Sequence, residues 1–573
     1  MSLSYVNADS FESALESLKK HVVLFVDLET TGLDPYESTM CDVAICGDAL
    51  EAYYFPFRHG EGYNLPLSYL NPLRSLLVNR TLVMWNAKFD LKFLIQDKFH
   101  INNVEDVMLA AHLMDENERN YKLKDLGQKY ISPEATDEQE ILSTELEKRG
   151  FKDMGDMWNL PAELVAPYAK MDVILTGRLR EFYAKLLISY GLYELWQELN
   201  EYQIVVLTME MRGFLMDKEA ILREIDIAED SMQQISTDLS IIMGHPVNPN
   251  SPKQISTILG VKSTAVDKIR NLSHPIVKPV IRYRQWTKAK GTYYHSFLDK
   301  MRDGILYPNL FMVGTVTGRF SCSKPPLQAL PRKLEDKDHP HNRIKSVFIA
   351  RPEHTLVQID YRQAEIYLVA HYAKATQLLE MIENDADIHQ QTADKVNIPR
   401  SAAKRMNFAM QYGIGSKALA EDLNCSIQEA SEYILRYNQL HPEIAQLYSN
   451  TERYAKINGY IQLFTGRMRR YGHKYRSPYH RASSNLIQGG VAELMRIAST
   501  KVYLKMGEYA HQLLHIHDSI FYEIKTIDLE WVIPALMEIM TDFDTYNFKV
   551  KFRVDTEIGK NWGDMCPWKG AQQ

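Results

Sequence analysis

The chain has 573 residues, 45% hydrophobic and 24% charged, with a formal net charge of −7 and a pI of about 6.2. That length exceeds one ordinary core and predicts three or four domains. The composition is that of a globular protein, no run approaches the roughly 18 apolar residues of a membrane span, and the negative balance argues against nonspecific coating of DNA while leaving room for a local basic cleft.

The opening, MSLSYVNADS, has no basic stretch followed by an apolar run and does not read as a secretion signal. Of the five cysteines, Cys41, Cys46, Cys322, Cys425 and Cys566, only the first two are close in sequence. This argues against a structural zinc site, and an odd, sparse set fits a reducing compartment. HVVLFVDLETTGLD reads as a buried strand and a polar turn. Asp27 and Glu29, two apart, face one side of that strand, where paired like charges suit a bound cation; a solvated strand end is the alternative reading of the pair alone. WNAKFDLKFL places Asp90 between the apolar run TLVMW and a helix. EATDEQEILSTELE, residues 134–147, reads as a solvated surface or a mobile loop. LVAPYAKMDVILTGRL sets Tyr168 and Asp172 four apart on one helix face. Asp27, Glu29, Asp90 and Asp172 together can hold two divalent metals, and Tyr168 can orient an attacking water.

These five residues, in this order, resemble the proofreading exonuclease family whose signature is Asp-x-Glu, Asp and Tyr-x-x-x-Asp, over about residues 20–185. The resemblance implies a ribonuclease-H-like fold that removes nucleotides from a DNA 3′ end. A fold kept for binding alone would not need an intact metal set.

Residues 186–300 carry long helical periodicity with no internal repeat. In RYRQWTKAKGTYY, Arg282, Arg284, Lys288 and Lys290 interleave with aromatics. This stretch is either a solvated helix face or a phosphate contact, and Lys288 and Lys290 are its candidate DNA-binding residues. Further on, the run TLVQI brings a buried strand to Asp360, with a helix soon after. RSAAKRMNFAMQYG repeats Arg400, Lys404, Phe408 and Tyr412 every fourth residue. Such residues form a slowly drifting helical stripe, cations suited to a polyphosphate followed by rings suited to a base and a sugar. LLHIHDSIFYEI reads as an apolar hairpin around His517 and Asp518. Two separated carboxylates and a cation-bearing helix match the inventory of metal-assisted nucleotidyl transfer.

TVTGRFS resembles the Thr-x-x-Gly-Arg-x-Ser segment of family A DNA polymerases, and PPLQAL resembles, less closely, their Pro-Asn-Leu-Gln-Asn segment. With Asp360, the Arg400 stripe and His517–Asp518 in order, the resemblance to that family spans nearly the whole chain. It implies an α/β multidomain protein: a ribonuclease-H-like exonuclease domain (1–185), then a right-hand polymerase with thumb (186–310), palm (311–385 and 476–573) and fingers (386–475). It also implies site roles. Asp360 and Asp518 would ligate two Mg²⁺ ions, the Tyr361 carbonyl would reach one, and Mn²⁺ would substitute; the exonuclease centre would hold two more. Arg400, Lys404 and His389 would meet the triphosphate, with Lys404 neutralising the leaving pyrophosphate. Phe408 would pack on the deoxyribose and disfavour dideoxynucleotides. Tyr412 would stack near the templating base, Glu365 would exclude a ribose 2′-hydroxyl, and Gln363 matches the family pattern. His517 would steady the primer end, and Arg319 and Gln488 would read the minor groove. Arg362, Tyr367 and Ser519 depart from the usual residues, and Arg481 and Asn485 stand one place out of register with Gln488. Primer-template DNA and dNTPs are the implied partners of a monomer in the host cytoplasm, with no membrane contact and with a helicase, a single-strand-binding protein or another replisome component as further candidates. An intact proofreading set without an added amino-terminal 5′-nuclease resembles phage replicases and points to phage genome replication. A repair polymerase and a catalytically silent DNA-binding scaffold are the alternatives.

Overall fold

The computed structural model describes residues 2–570, leaving out 49, 50, 324, 335, 337, 412, 473, 475 and 476. The chain divides into two compact units, each entered more than once. One comprises Met1–Leu207, Met312–Arg319 and Glu365–Glu493; the other comprises Thr208–Phe311, Phe320–Ala364 and Leu494–Gln573.

The first unit opens with a mixed sheet of β1 (Ser2–Tyr5), β2 (Val23–Thr30), β3 (Met40–Asp48), β4 (Glu51–Pro56), β5 (Thr81–Met84) and β6 (Asn103–Asp106), ordered β1-β4-β3-β2-β5-β6. β2 runs antiparallel to β3 and parallel to β5. In VLFVDLET, Leu24, Val26 and Leu28 are buried on one face, which turns Asp27 and Glu29 to the other. Among the helices of this part are α1 (Ala87–Gln96), α2 (Leu123–Tyr130), α3 (Asp137–Lys148) and the 28-residue α4 (Ala162–Ser189). Ala162, Val165, Ala166 and Ala169 of α4 pack with Ala44, Cys46, Ala52 and Tyr54 of the sheet, the small side chains bringing helix and sheet close together. Asp90 sits inside the first turn of α1 rather than before a helix.

Residues 134–147 are neither loop nor bare surface: a short turn, Pro133–Thr136, leads into α3. Leu142 and Leu146, one turn apart, bury in the same core as α4. Two leucines on one face supply the apolar stripe that the acidic composition obscures, and Asp137, Glu138 and Glu140 in the first turn suit the helix dipole. All five cysteines are free thiols, with Cys41 and Cys46 buried.

Later in this unit, α5 (Ile388–Val396) and α6 (Arg400–Gln411) share a core of Val396, Met406, Met410, Leu419, Ala420, Ala430 and Tyr437. A hairpin of Tyr460–Gln462 and Met468–Arg470 brings two buried arginines to one buried glutamate. Arg469 lies 2.9 Å from one oxygen of Glu116, and Arg470 lies 2.7 Å from the other. Gly318, in TVTGRFS, has φ +80°, and a Cβ there would come within 3.2 Å of Arg467 Nε. Arg467 is itself paired to Glu493 at 2.5 Å.

The second unit holds an antiparallel sheet of β7 (His354–Tyr361), β8 (Ala510–Ile516), β9 (Ser519–Lys525), β10 (Val554–Gly559) and β11 (Cys566–Pro567), ordered β8-β9-β7-β10-β11. Leu356, Val357 and Ile359 are fully buried on the central strand β7. On β9, the buried Glu523 is held by Arg212 at 2.5 Å and Arg351 at 2.8 Å. The helices Lys218–Met243 and Val277–Lys288 bear out the periodicity read in residues 186–300. No helix among the described residues is long and apolar enough to cross a membrane.

Candidate active sites

Asp27 and Glu29 leave one face of β2, and Asp172 reaches them from α4, one turn beyond Tyr168. One oxygen from each of the three carboxylates lies within 4.8 Å of the other two. Asp90 stands outside this trio but is buried beside it, close enough to raise the Asp27 carboxyl. Burial, then Asp172 and Asp90, pushes Asp27 well above the usual carboxylate range; burial, then Asp27 and Asp42, does the same to Glu29. Burial also raises Asp172, against the opposing pull of Lys124 and a hydrogen bond from Tyr168. Crowded, desolvated, oxygen-only donors fit a hard divalent cation, which would relieve all of these shifts together.

Several neighbours of this centre were not legible in the sequence. Lys124 of α2 is 6% exposed, ion-paired to Asp172, with its ammonium 4.4 Å from the centre of the Tyr168 ring. Nothing in KLKDLGQKY distinguishes it from the solvated Lys122 and Lys129. Asp42 lies opposite Glu29 on β3 and accepts hydrogen bonds from Tyr54 Oη at 2.9 Å and His59 Nε2 at 3.0 Å, with Cys41 Sγ 3.8 Å away.

In the second unit, Asp360 is the last residue but one of β7, opposite Ser519 on β9 and Asp555 on β10. His517 and Asp518 form the tight turn between β8 and β9, His517 taking φ +56°. The Tyr361 N–H donates to the Asp518 carbonyl at 3.1 Å, drawing the turn to the end of β7. Burial, then Asp518, Asp555 and Glu557, pushes the Asp360 carboxyl up to about 7, with Arg332 pulling it back. Asp555 and Glu557 were missed because β10 lies far downstream and its register with β7 is a tertiary fact. The departures have visible partners. Arg362 pairs with Asp555 at 2.6 Å, and buried Ser519 accepts from Gln358 at 3.1 Å and donates to the Ile516 carbonyl at 2.9 Å. The Tyr361 ring is buried, its hydroxyl donating to the Met540 carbonyl at 2.5 Å, and Gln363 is exposed with φ +50°.

In the first unit, Arg400, Lys404 and Phe408 form an exposed stripe on α6, while Ala403, Met406, Asn407 and Met410 fill its buried face. Tyr412 lies outside the described residues. Arg400 pairs with Asp387 at 2.7 Å. His389 is buried rather than on the helix surface. Its Nδ1 is 2.9 Å from Asn407 Nδ2, its ring is 5.8 Å from that of Phe408, and burial lowers its pKa. Glu365, half-buried, lies 3.5 Å from Arg319. Gln488 is half-buried on the helix Ala482–Met506, Asn485 donates to the Tyr471 hydroxyl at 3.0 Å, and Arg481 is exposed.

The basic stretch of the second unit is mostly engaged within the protein. Lys290 pairs with Glu229 and Arg282 with Asp336, each at 2.5 Å, and Arg284 donates to the Pro249 carbonyl at 2.9 Å; Lys288 is exposed.

A mixed sheet with a carboxylate trio, two of its members buried, and an antiparallel sheet with a carboxylate-bearing turn define a chain of two distinct acidic centres. Family models divide the chain in the same way: residues 5–188 match the 3′-5′ exonuclease model, and residues 219–564 match DNA polymerase family A. The chain belongs to DNA polymerase family A. It is 27% identical over 595 residues to DNA polymerase I of Borreliella burgdorferi, covering 97% of this chain and 64% of that protein. To DNA polymerase I of Caldicellulosiruptor bescii it is 29% identical over 511 residues, covering 82% and 56%. It thus spans less than two thirds of the length of these relatives. The solved polymerase domain of Pol1 from M. smegmatis, in complex with DNA primer-template and dNTP, shares the fold with a TM-score of 0.82 at 20% identity, covering 98% of this chain and 99% of that one.

Proposed function

We propose that the chain is a template-directed DNA polymerase with a 3′–5′ proofreading exonuclease. The observation that carries this reading is the pair of acidic centres, each lying in the segment matched by the corresponding family model. At the polymerase centre Asp360 and Asp518, with the Tyr361 carbonyl, would hold two divalent ions, Mg²⁺ by preference. Such ions, when bound, supply the acidity that activates a primer 3′-hydroxyl and neutralise phosphate charge. Arg400, Lys404 and His389 bind the triphosphate, and Lys404 compensates the charge of the departing pyrophosphate. Phe408 packs on the deoxyribose and Tyr412 near the templating base, while Glu365 and Gln363 line the nucleotide site. His517 steadies the primer end, Arg319 and Gln488 face the minor groove, and Lys288 grips the duplex backbone, with Lys290 contributing less because it is paired to Glu229. At the exonuclease centre Asp27, Glu29, Asp90 and Asp172 would hold the metal pair, and Tyr168 orients the attacking water. The thumb, palm and fingers occupy the ranges given above.

The narrower reading is replication of a phage genome in the host cytoplasm by a monomer working with other replisome components. It is supported by the intact exonuclease carboxylates. Repair synthesis is the second reading, supported by the bacterial relatives.

The test is extension of a labelled primer with Mg²⁺, with and without dNTPs, by wild type, Asp360→Ala and Asp27→Ala. Expected are dNTP-dependent extension lost in Asp360→Ala and dNTP-free shortening lost in Asp27→Ala. A folded wild type that never extends, across varied metal, salt and template, would leave a nuclease or a DNA-binding scaffold.

A further inference from the structure

Lys124 is a buried lysine that the five-residue exonuclease pattern does not include. Its position is built into the packing. Gly127, one turn along α2, lies against α4, where a Cβ would come within 3.1 Å of a Leu175 methyl and 3.3 Å of Ala135 Cβ. The missing side chain lets α2 approach α4 closely, and this sets Lys124 on Asp172, one turn before Leu175. The same ammonium sits 4.4 Å from the Tyr168 ring, a cation–π contact in a desolvated pocket. One cation therefore touches both the α4 carboxylate of the acidic trio and the phenol beside it. Its charge also lowers the cost of holding Asp27 and Glu29 together.

We propose that Lys124 is a positioning residue of the exonuclease centre, which fixes Asp172 and Tyr168 through one ammonium and competes with the divalent ion for Asp172. The inference rests on the exonuclease reading above. It makes a signed prediction. Removing the ammonium removes a competitor and a repelling charge, so metal binds more tightly even as the geometry for hydrolysis is lost. Simple loss of structure would weaken metal binding instead.

The experiment is Mn²⁺ titration followed by electron paramagnetic resonance in a background carrying Asp360→Asn and Asp518→Asn, so that the exonuclease carboxylates dominate the signal. Lys124→Met is expected to bind Mn²⁺ about threefold more tightly or better, and Lys124→Arg to stay within about twofold of the parent. Lys124→Gln, a smaller change in polarity, decides the matter should the Met variant fail to fold. Without those background changes, primer shortening by Lys124→Met is expected to lose about tenfold or more in kcat with KM for DNA within about twofold, and Lys124→Arg to regain most of it. Unchanged or weakened Mn²⁺ affinity in the neutral variants would overturn the proposal and leave Lys124 a core counter-ion. A wild type that shortens no primer would sink the exonuclease reading, while the Mn²⁺ comparison still decides whether Lys124 competes for Asp172.

Discussion

A carboxyl held near 7 keeps its proton where an ordinary aspartate has lost it, and Asp360 is such a group. Its folded value lies above the unfolded value of 3.8, so the folded state binds the extra proton between the two. Its contribution to stability is fully present below about pH 4 and is lost as pH rises through about 7 in metal-free protein. Asp360→Asn is therefore expected to raise the thermal midpoint in EDTA at pH 8 and to change it little at pH 4. Calorimetry at the two pH values checks this, and equal shifts at both would show that crowding by Asp518, Asp555 and Glu557 is not what the proton relieves. Single residues were legible in the sequence where a motif singled them out: Asp27, Glu29, Asp172, Asp360 and Asp518 all face acidic neighbours. Asp42, Lys124, Asp555 and Glu557 were not, because each acquires meaning only from a strand register or a helix packing angle.

At the scale of elements, α6 was legible because its two faces differ in kind, with cations and a ring outside and alanine and methionine inside. The β8–β9 hairpin was legible because two apolar runs flank a polar pair. α3 was not, since an acidic run hides two leucines. The hairpin of Tyr460–Gln462 and Met468–Arg470 was beyond reach for another reason, as its partner Glu116 lies hundreds of residues upstream. That contact carries a prediction. Glu116 places one oxygen on each of two buried guanidiniums, so Glu116→Ala leaves two uncompensated buried charges. Breaking a buried ion pair costs about 3–5 kcal/mol. Urea denaturation should show a loss in that range, with Glu116→Gln losing less because its amide oxygen still accepts. A loss under about 1 kcal/mol would mean that water reaches the arginines.

For the whole molecule, the net charge of −7 does not predict how DNA affinity responds to salt. What matters is how many cations are left to meet phosphates. Read as a sequence, the 282–294 stretch offers four cations; in the fold, Arg282, Arg284 and Lys290 already have protein partners and Lys288 stands exposed. Lys288→Ala is expected to lower the slope of log affinity against log salt by about one, and Lys290→Ala by clearly less. Anisotropy titrations of a labelled duplex check both, and equal effects would show that the Glu229 pair opens on binding.

The position of β7 has a consequence for synthesis on the ribosome. Its flanking strands, β9 and β10, come far later in the chain, so the Asp360–Asp518 centre cannot exist until the ribosome has passed residues 519–559. The Asp27, Glu29 and Asp172 trio, by contrast, is complete within the first third of the chain. At about 5–20 residues per second, the interval between the two lasts some tens of seconds. During that time a nascent chain can assemble its first acidic centre and has no second one. A ribosome stalled between these two stretches would display the first centre alone.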